Sequence, residues 1–151
     1  IQKEQDTQME KINKLKKILK REQIDGYLVP KNDEFFEEYV PEYRDRLKYI
    51  SNFSGSFGFA LILRDKNYLF VDGRYTLQAA DQSGKNFRII TFSKKKKESL
   101  NKYKKKLVGY DPKLFTRKSL RYFFGEENYS FKPLNYNLID KIWIRKNSKN
   151  R

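Results

Sequence analysis

Six short apolar runs set the frame of this chain: YLV at 27–29, FALIL at 59–63, YLFV at 68–71, FRIITF at 87–92, LVGYD at 107–111 and YSFKPL at 129–134. Each is shorter than a buried helix and bounded by turn residues, so each reads as a strand. Between them lie stretches of helical spacing. Met9, Ile12, Leu15, Ile18 and Leu19 recur along 7–23 with charges between them, which predicts an amphipathic helix closed at Asp25-Gly26. Pro30 stops the first strand, and Pro41 divides 31–50 into a loop with short helical turns. Arg64-Asp65-Lys66-Asn67 joins the second and third runs as a hairpin. TLQAADQSG predicts a short helix ending at Gly84, and Leu100 and Tyr103 mark helical spacing along 94–106. Thr116 can cap a helix running to Phe124, and NLIDKIWIR at 137–145 opens a helix or a connection leading out. This alternation predicts an α/β fold: a mixed sheet of five to six strands with helices on both faces.

Composition narrows the chemistry. A chain of 151 residues makes one domain, and a chain of that size buries roughly 70% of its unfolded surface. No apolar run approaches the length of a membrane span. Cys is absent, which excludes disulfides, thiolate metal sites and a cysteine nucleophile, and leaves the compartment open with a lean to the cytoplasm. His is absent as well, so no Ser-His-Asp triad and no imidazole ligand exists in the chain. The net charge of +15 brings nucleic acid and anionic surfaces into view as partners. The basic runs at 94–97 and 104–106 flank Tyr103, but they fall on amphipathic patterns, so solvated helix faces lead and nucleic acid ranks behind. The start at Ile1 and the polar end RKNSKNR read as cuts in a longer protein.

Three stretches are candidates for chemistry. SNFSGSFG at 51–58 precedes a strand rather than opening a helix, so it is not a phosphate cradle; its glycines permit close packing. In DGRY, Asp72 can cap the helix that starts near Arg74, Gly73 relieves the turn, and Arg74 offers a planar fork to a carboxylate. Its candidate partners are Asp72 and the acids of 33–45. A structural role for Arg74 leads over a ligand role. The acidic run DEFFEEYVPEYRD has no calcium-loop spacing, and Phe35, Phe36, Tyr39 and Tyr43 read as a packing face.

Taken in order, DGYLVPKNDEFFEEYVPEYRDRLKYISNFSGSFGFALI, LFVDGRYTLQAADQ, LVGYDP and NLIDKIW resemble the N-terminal domain of the Xaa-Pro aminopeptidases, in the creatinase/prolidase family. The resemblance runs from about residue 10 to about residue 144. It implies a ribonuclease H-like topology over 1–144, with 145–151 starting a linker to a missing downstream domain. The matching motif positions are Arg46, Phe53, Gly55, Ser56, Asp72, Gly73, Arg74 and Tyr75. Phe57, within GSFG, stands where relatives often carry a small residue.

In that family a later domain does the peptidase chemistry. There two Asp, one His and two Glu hold two divalent metal ions, usually manganese, and activate a water. Without His, no catalytic residue or metal ligand carries over to this chain, and alone it is expected to be inactive. The resemblance implies that the chain helps shape the substrate entrance and oligomer contacts, homodimeric ones included, of a cytoplasmic enzyme. That enzyme removes the residue preceding proline from a peptide. The competing readings are a non-catalytic peptide- or protein-binding module of the same fold and, behind it, a basic nucleic-acid-binding domain.

Overall fold

A computed structural model describes residues 2–31, 40–55, 57–91, 106–115, 118 and 129–143. Its strands are β1 (Gly26–Pro30), β2 (Gly58–Leu63), β3 (Asn67–Val71), β4 (Arg88–Thr91), β5 (Lys106–Tyr110) and β6 (Tyr129–Pro133). The helices are α1 (Gln2–Arg21), α2 (Arg46–Ser51), α3 (Thr76–Ser83) and α4 (Leu138–Ile142). The strands form one six-stranded sheet in the order β4-β3-β2-β1-β5-β6. β2 runs antiparallel to both its neighbours, whereas β1–β5, β3–β4 and β5–β6 are parallel. The mixed sheet expected from the runs is therefore present, with the 64–67 hairpin in its place. β1 tolerates Pro30 because pairing with β5 reaches only Gly26 and Tyr27, and no amide is required from the far end on that side.

Period-two alternation sorts the strand side chains. Tyr27, Val29, Ala60, Ile62, Leu69 and Val71 face one core, which the apolar stripes of α1, α2, α3 and α4 cover. Leu28, Phe59, Leu61, Tyr68, Phe70 and Val108 face the other core and are also buried. Among the described residues all four α-helices pack on the first face. The second face carries Phe115, whose ring meets Phe59 edge-on at 6.0 Å. The helices expected over 94–106 and 117–124 lie, Lys118 and Lys106 aside, outside the described residues. No described helix is long and apolar enough to cross a membrane.

Helix α1 starts five residues earlier than its apolar spacing predicts, because Gln2–Asp6 are polar helix formers that carry no periodic signal. It also stops sooner, at Arg21. Gln23 takes a left-handed φ of 59°. The Ile24 amide then donates to the Leu19 carbonyl and the Gln23 amide to Lys20, the bonding of a Schellman turn with Gln in the position glycine usually holds. Tyr43, expected on a packing face, is instead 38% exposed, with the Arg44 guanidinium over its ring. It sits on a single 3-10 turn, Glu42–Arg44, with no buried side. Phe35, Phe36 and Tyr39 are outside the described residues.

Two helix ends are closed by side chains. Asp45 accepts from the Lys48 amide at the start of α2 and pairs with Lys31. Asn137 accepts from the Ile139 and Asp140 amides at the start of α4, and its own amide donates to Asp111. Between these helices Arg46 Nε and Nη2 donate to Asp140 Oδ1 and Oδ2 at 2.9 and 3.0 Å, a fork joining residues 94 apart. Nearby, the Leu138 amide donates to the Tyr27 hydroxyl, and burial pushes that phenol above its ordinary pKa.

The fork is asymmetric. Arg46 is 4% exposed, whereas the Asp140 side chain is 37% exposed. Asp140→Ala removes both hydrogen bonds of the fork from a buried guanidinium and is expected to cost about 2–3 kcal/mol, whereas Arg46→Met leaves a carboxylate that water reaches and costs about 1 kcal/mol. Urea unfolding of the two variants measures the order, and a larger loss for Arg46→Met contradicts this account.

Candidate functional site

β2 opposes the end of β3, with Gly58 across from Val71. The loop that enters β2 and the turn that leaves β3 therefore lie at one end of the sheet, beside the carboxyl end of β1. In sheets with parallel strands, that end is where ligands are met.

The turn is built by Asp72. Its carboxylate accepts from the Arg74 amide at 2.9 Å, and Gly73–Tyr75 forms a 3-10 turn leading directly into α3. That amide, followed by the Arg74 side chain, holds the Asp72 carboxyl below its ordinary pKa. The Arg74 guanidinium donates to Asp72 Oδ1 at 3.3 Å and lies over the Tyr75 ring, with its side chain 74% exposed. Gly73 is exposed too, and a Cβ there would meet Thr91 Cγ2 at an ordinary 3.6 Å. Beside it, Thr76 Oγ1 hydrogen-bonds Thr91 Oγ1 at 3.0 Å and ties the start of α3 to β4.

The glycine-rich loop folds over Phe53. This ring is fully buried and meets Tyr75 edge-on at 6.0 Å, so the two motifs touch through aromatic faces. Gly55 closes over the same ring: a Cβ there would run into the Phe53 ring at Cζ. At Gly58 it would lie 2.9 Å from the Phe70 carbonyl oxygen. The glycines are thus required by close approach. Phe57, the departure from the small-residue pattern, is 40% exposed. Ser56 lies outside the described residues.

Phe53, Gly55, Asp72, Gly73, Arg74 and Tyr75 therefore form one corner. Arg46 turns away from it toward Asp140. The spacing of the motifs did not reveal what holds the loop down. The Ser54 amide donates to Gln82 Oε1 at 2.9 Å, and Gln82 and Gln78 donate back to Ser54 Oγ at 2.8 and 3.2 Å. The Arg74 fork goes instead to Asp72, one of the partners expected for it. A guanidinium has no acceptor for the Ser54 amide, whereas a glutamine amide both accepts and donates. The signal lay in the sequence: Gln78 and Gln82 are four apart on α3 and so share a face. Of the described acids of the 33–45 region, Asp45 is taken by Lys31 and the α2 amide, and Glu42 lies 3.7 Å from Lys48.

A profile described as the Creatinase/Prolidase N-terminal domain matches residues 11–138. The chain belongs to this family. Similar full-length proteins include one from Coprinopsis cinerea named "Probable Xaa-Pro aminopeptidase P", 32% identical over 140 residues that make up 85% of this chain and 22% of the relative. A Laccaria bicolor protein of the same name is 41% identical over 81 residues, covering 54% of this chain and 13% of the relative. The chain spans less than a quarter of the length of either relative. Among solved structures, an X-prolyl aminopeptidase of Caenorhabditis elegans, a cytosolic enzyme with a di-nuclear active site, superposes with a TM-score of 0.76 at 25% identity. That match covers 91% of this chain and 25% of the worm enzyme. The N-terminal domain of a cytoplasmic peptidase from Mycobacterium tuberculosis shares the fold, with a TM-score of 0.63 at 21% identity over 88% of this chain and 98% of that domain.

Among the described residues no group of three or more His, Cys, Asp or Glu is placed to hold an ion, and the whole chain contains neither His nor Cys. What the corner offers is the Phe53–Tyr75 ring pair together with the exposed side chains of Arg74, Phe57 and, on α3, Leu77, which is 87% exposed.

Two outcomes test the corner. Gly55→Ala drives a methyl into a buried ring and is expected to lose about 1–3 kcal/mol in urea unfolding, whereas Arg74→Ala leaves the unfolding midpoint within error. Carbon-13 titration of the Asp72 carboxyl is expected to give a value below the ordinary 3.8. Because the folded value is depressed, the capping contribution is present above the unfolded value and is lost as pH falls through the folded one. A titration at or above 3.8 removes the cap.

Proposed function

We propose that this chain is the non-catalytic N-terminal domain of a metal-dependent Xaa-Pro aminopeptidase, which removes the N-terminal residue preceding proline. One observation carries the reading. Relatives that bear this enzyme's name match 85% of the chain, while the chain makes up 22% of their length. In this reading the catalytic residues and two divalent ions, manganese by preference, belong to the rest of the parent protein. No step of the chemistry falls to a residue of this chain. Residues 1–144 are the domain, and 145–151 begin the linker to the catalytic part. The parent enzyme is cytoplasmic, in keeping with the cytosolic worm enzyme.

The corner gives this domain its work. Its exposed side chains, Arg74, Phe57 and Leu77, surround the paired rings of Phe53 and Tyr75. Such a rim suits shaping the entrance through which a peptide reaches a neighbouring catalytic centre, or contacting a second copy in a homodimer.

The test uses the full-length protein. Metal-dependent release of the N-terminal residue from an Xaa-Pro peptide is expected from the whole protein and not from the 151-residue chain. In the whole enzyme, Arg74→Ala is expected to raise KM about fivefold with kcat unchanged. A folded full-length protein that releases nothing with manganese overturns the peptidase reading in favour of a binding module. Unchanged kinetics for Arg74→Ala removes the entrance role alone.

A further inference from the structure

Away from the corner, α1, α2 and the end of α4 enclose an open groove of about 760 Å³. Its floor is aromatic. Tyr49 and Trp143 stack with centroids 4.7 Å apart, and the Tyr49 hydroxyl donates to the Ile142 carbonyl, which fixes the stack to α4. One wall is basic. Lys11 and Lys14 stand one turn apart on α1 and both line the groove. The Lys11 ammonium donates to the Tyr49 carbonyl at 3.2 Å and lies 4.2 Å from the Tyr49 ring centroid.

The opposite wall carries Glu42 and Asp45, but each has a cation of its own. Asp45 pairs with Lys31, and Glu42 lies 3.7 Å from Lys48. The groove therefore holds positive charge on the α1 wall that its own acids do not balance. Lys11 shows the cost: burial lowers its pKa, and its neighbours supply a neutral carbonyl and a ring face in place of a carboxylate.

We propose that this groove binds an acidic peptide segment of a partner protein, with a carboxylate meeting Lys11 and Lys14 and an apolar side chain lying against the Tyr49–Trp143 stack. The opposite wall favours a peptide over a continuous polyanion. Glu42, 86% exposed, repels a phosphate backbone but accepts from a peptide N–H. This inference goes beyond the aminopeptidase reading and does not depend on it, since binding is measured on the 151-residue chain with no catalytic part present.

Trp143 is the single tryptophan of the chain, so its fluorescence reports from the groove floor. Titration with a synthetic peptide of glutamates around one phenylalanine is expected to give a saturable change in emission, and a lysine peptide of equal length none. Lys11→Met and Lys14→Met are each expected to weaken binding about tenfold, while Lys11→Arg keeps most of it. Lys14 is exposed, so Lys14→Met retains the fold even if the Lys11 variant does not, and far-ultraviolet circular dichroism checks both. The proposal is overturned by a folded chain whose tryptophan does not respond, by Lys14→Met binding as tightly as the parent, or by an oligothymidine that binds more tightly than the peptide.

Discussion

Two helices meet at one carbonyl that belongs to a third. Gln8 of α1 and Ser83 of α3 both donate, at 2.8 Å, to the backbone oxygen of Ser51, the last residue of α2. Both lone pairs of that buried oxygen are used. The network continues outward, from Asn86 to Gln8 at 2.7 Å and from Asn67 to the Asn86 carbonyl at 3.0 Å, so it reaches the first residue of β3. The Ser51 hydroxyl in turn donates to the Leu47 carbonyl and accepts from the Phe53 amide. One residue thus sets the spacing of three helices and aims the chain into the loop that carries Phe53. A buried hydrogen-bond network specifies geometry in a way that apolar contact alone does not.

The sequence announced its elements wherever the determinants were local. The strand runs, the 64–67 hairpin, the Asp72 cap and the stop at Gly84, with its φ of 63°, all depend on residues within a few positions of each other. What stayed hidden was long-range. Arg46 was visible as a motif position, but nothing in the chain marks Asp140, 94 residues on, as its partner. Gln8, Ser51 and Ser83 are ordinary polar residues until folding brings them to one point. Tyr43 misled for a related reason. Its spacing matched an apolar face, but Pro41 restricts that stretch to a 3-10 turn too short to have one.

The site followed the same division. Sequence placed DGRY at a corner and the glycines at a tight approach, and both are there. It did not mark the loop's anchor, because an arginine stands out in a motif and a pair of glutamines does not. Charge is spread in a comparable way. The net +15 of the chain is easy to count, but its local meaning depends on which lysines find a partner. Lys31 and Lys48 do, at Asp45 and Glu42. Lys11 makes do with a carbonyl and a ring.

The order of strands has a consequence in time. β1, β2 and β3 form a meander whose every pairing closes between neighbours in sequence, and it is complete once Val71 has been made. β5 joins β1 only across a span of 82 residues, where the Leu107 amide reaches the Asp25 carboxylate. Closing such a span costs more chain entropy, and it forms more slowly than a hairpin. During synthesis, then, half of the sheet can assemble outside the ribosome while the rest is still being translated, and β1 waits with one edge open. The charged Asp25 at the mouth of that edge both discourages a foreign strand and marks the register for the native one.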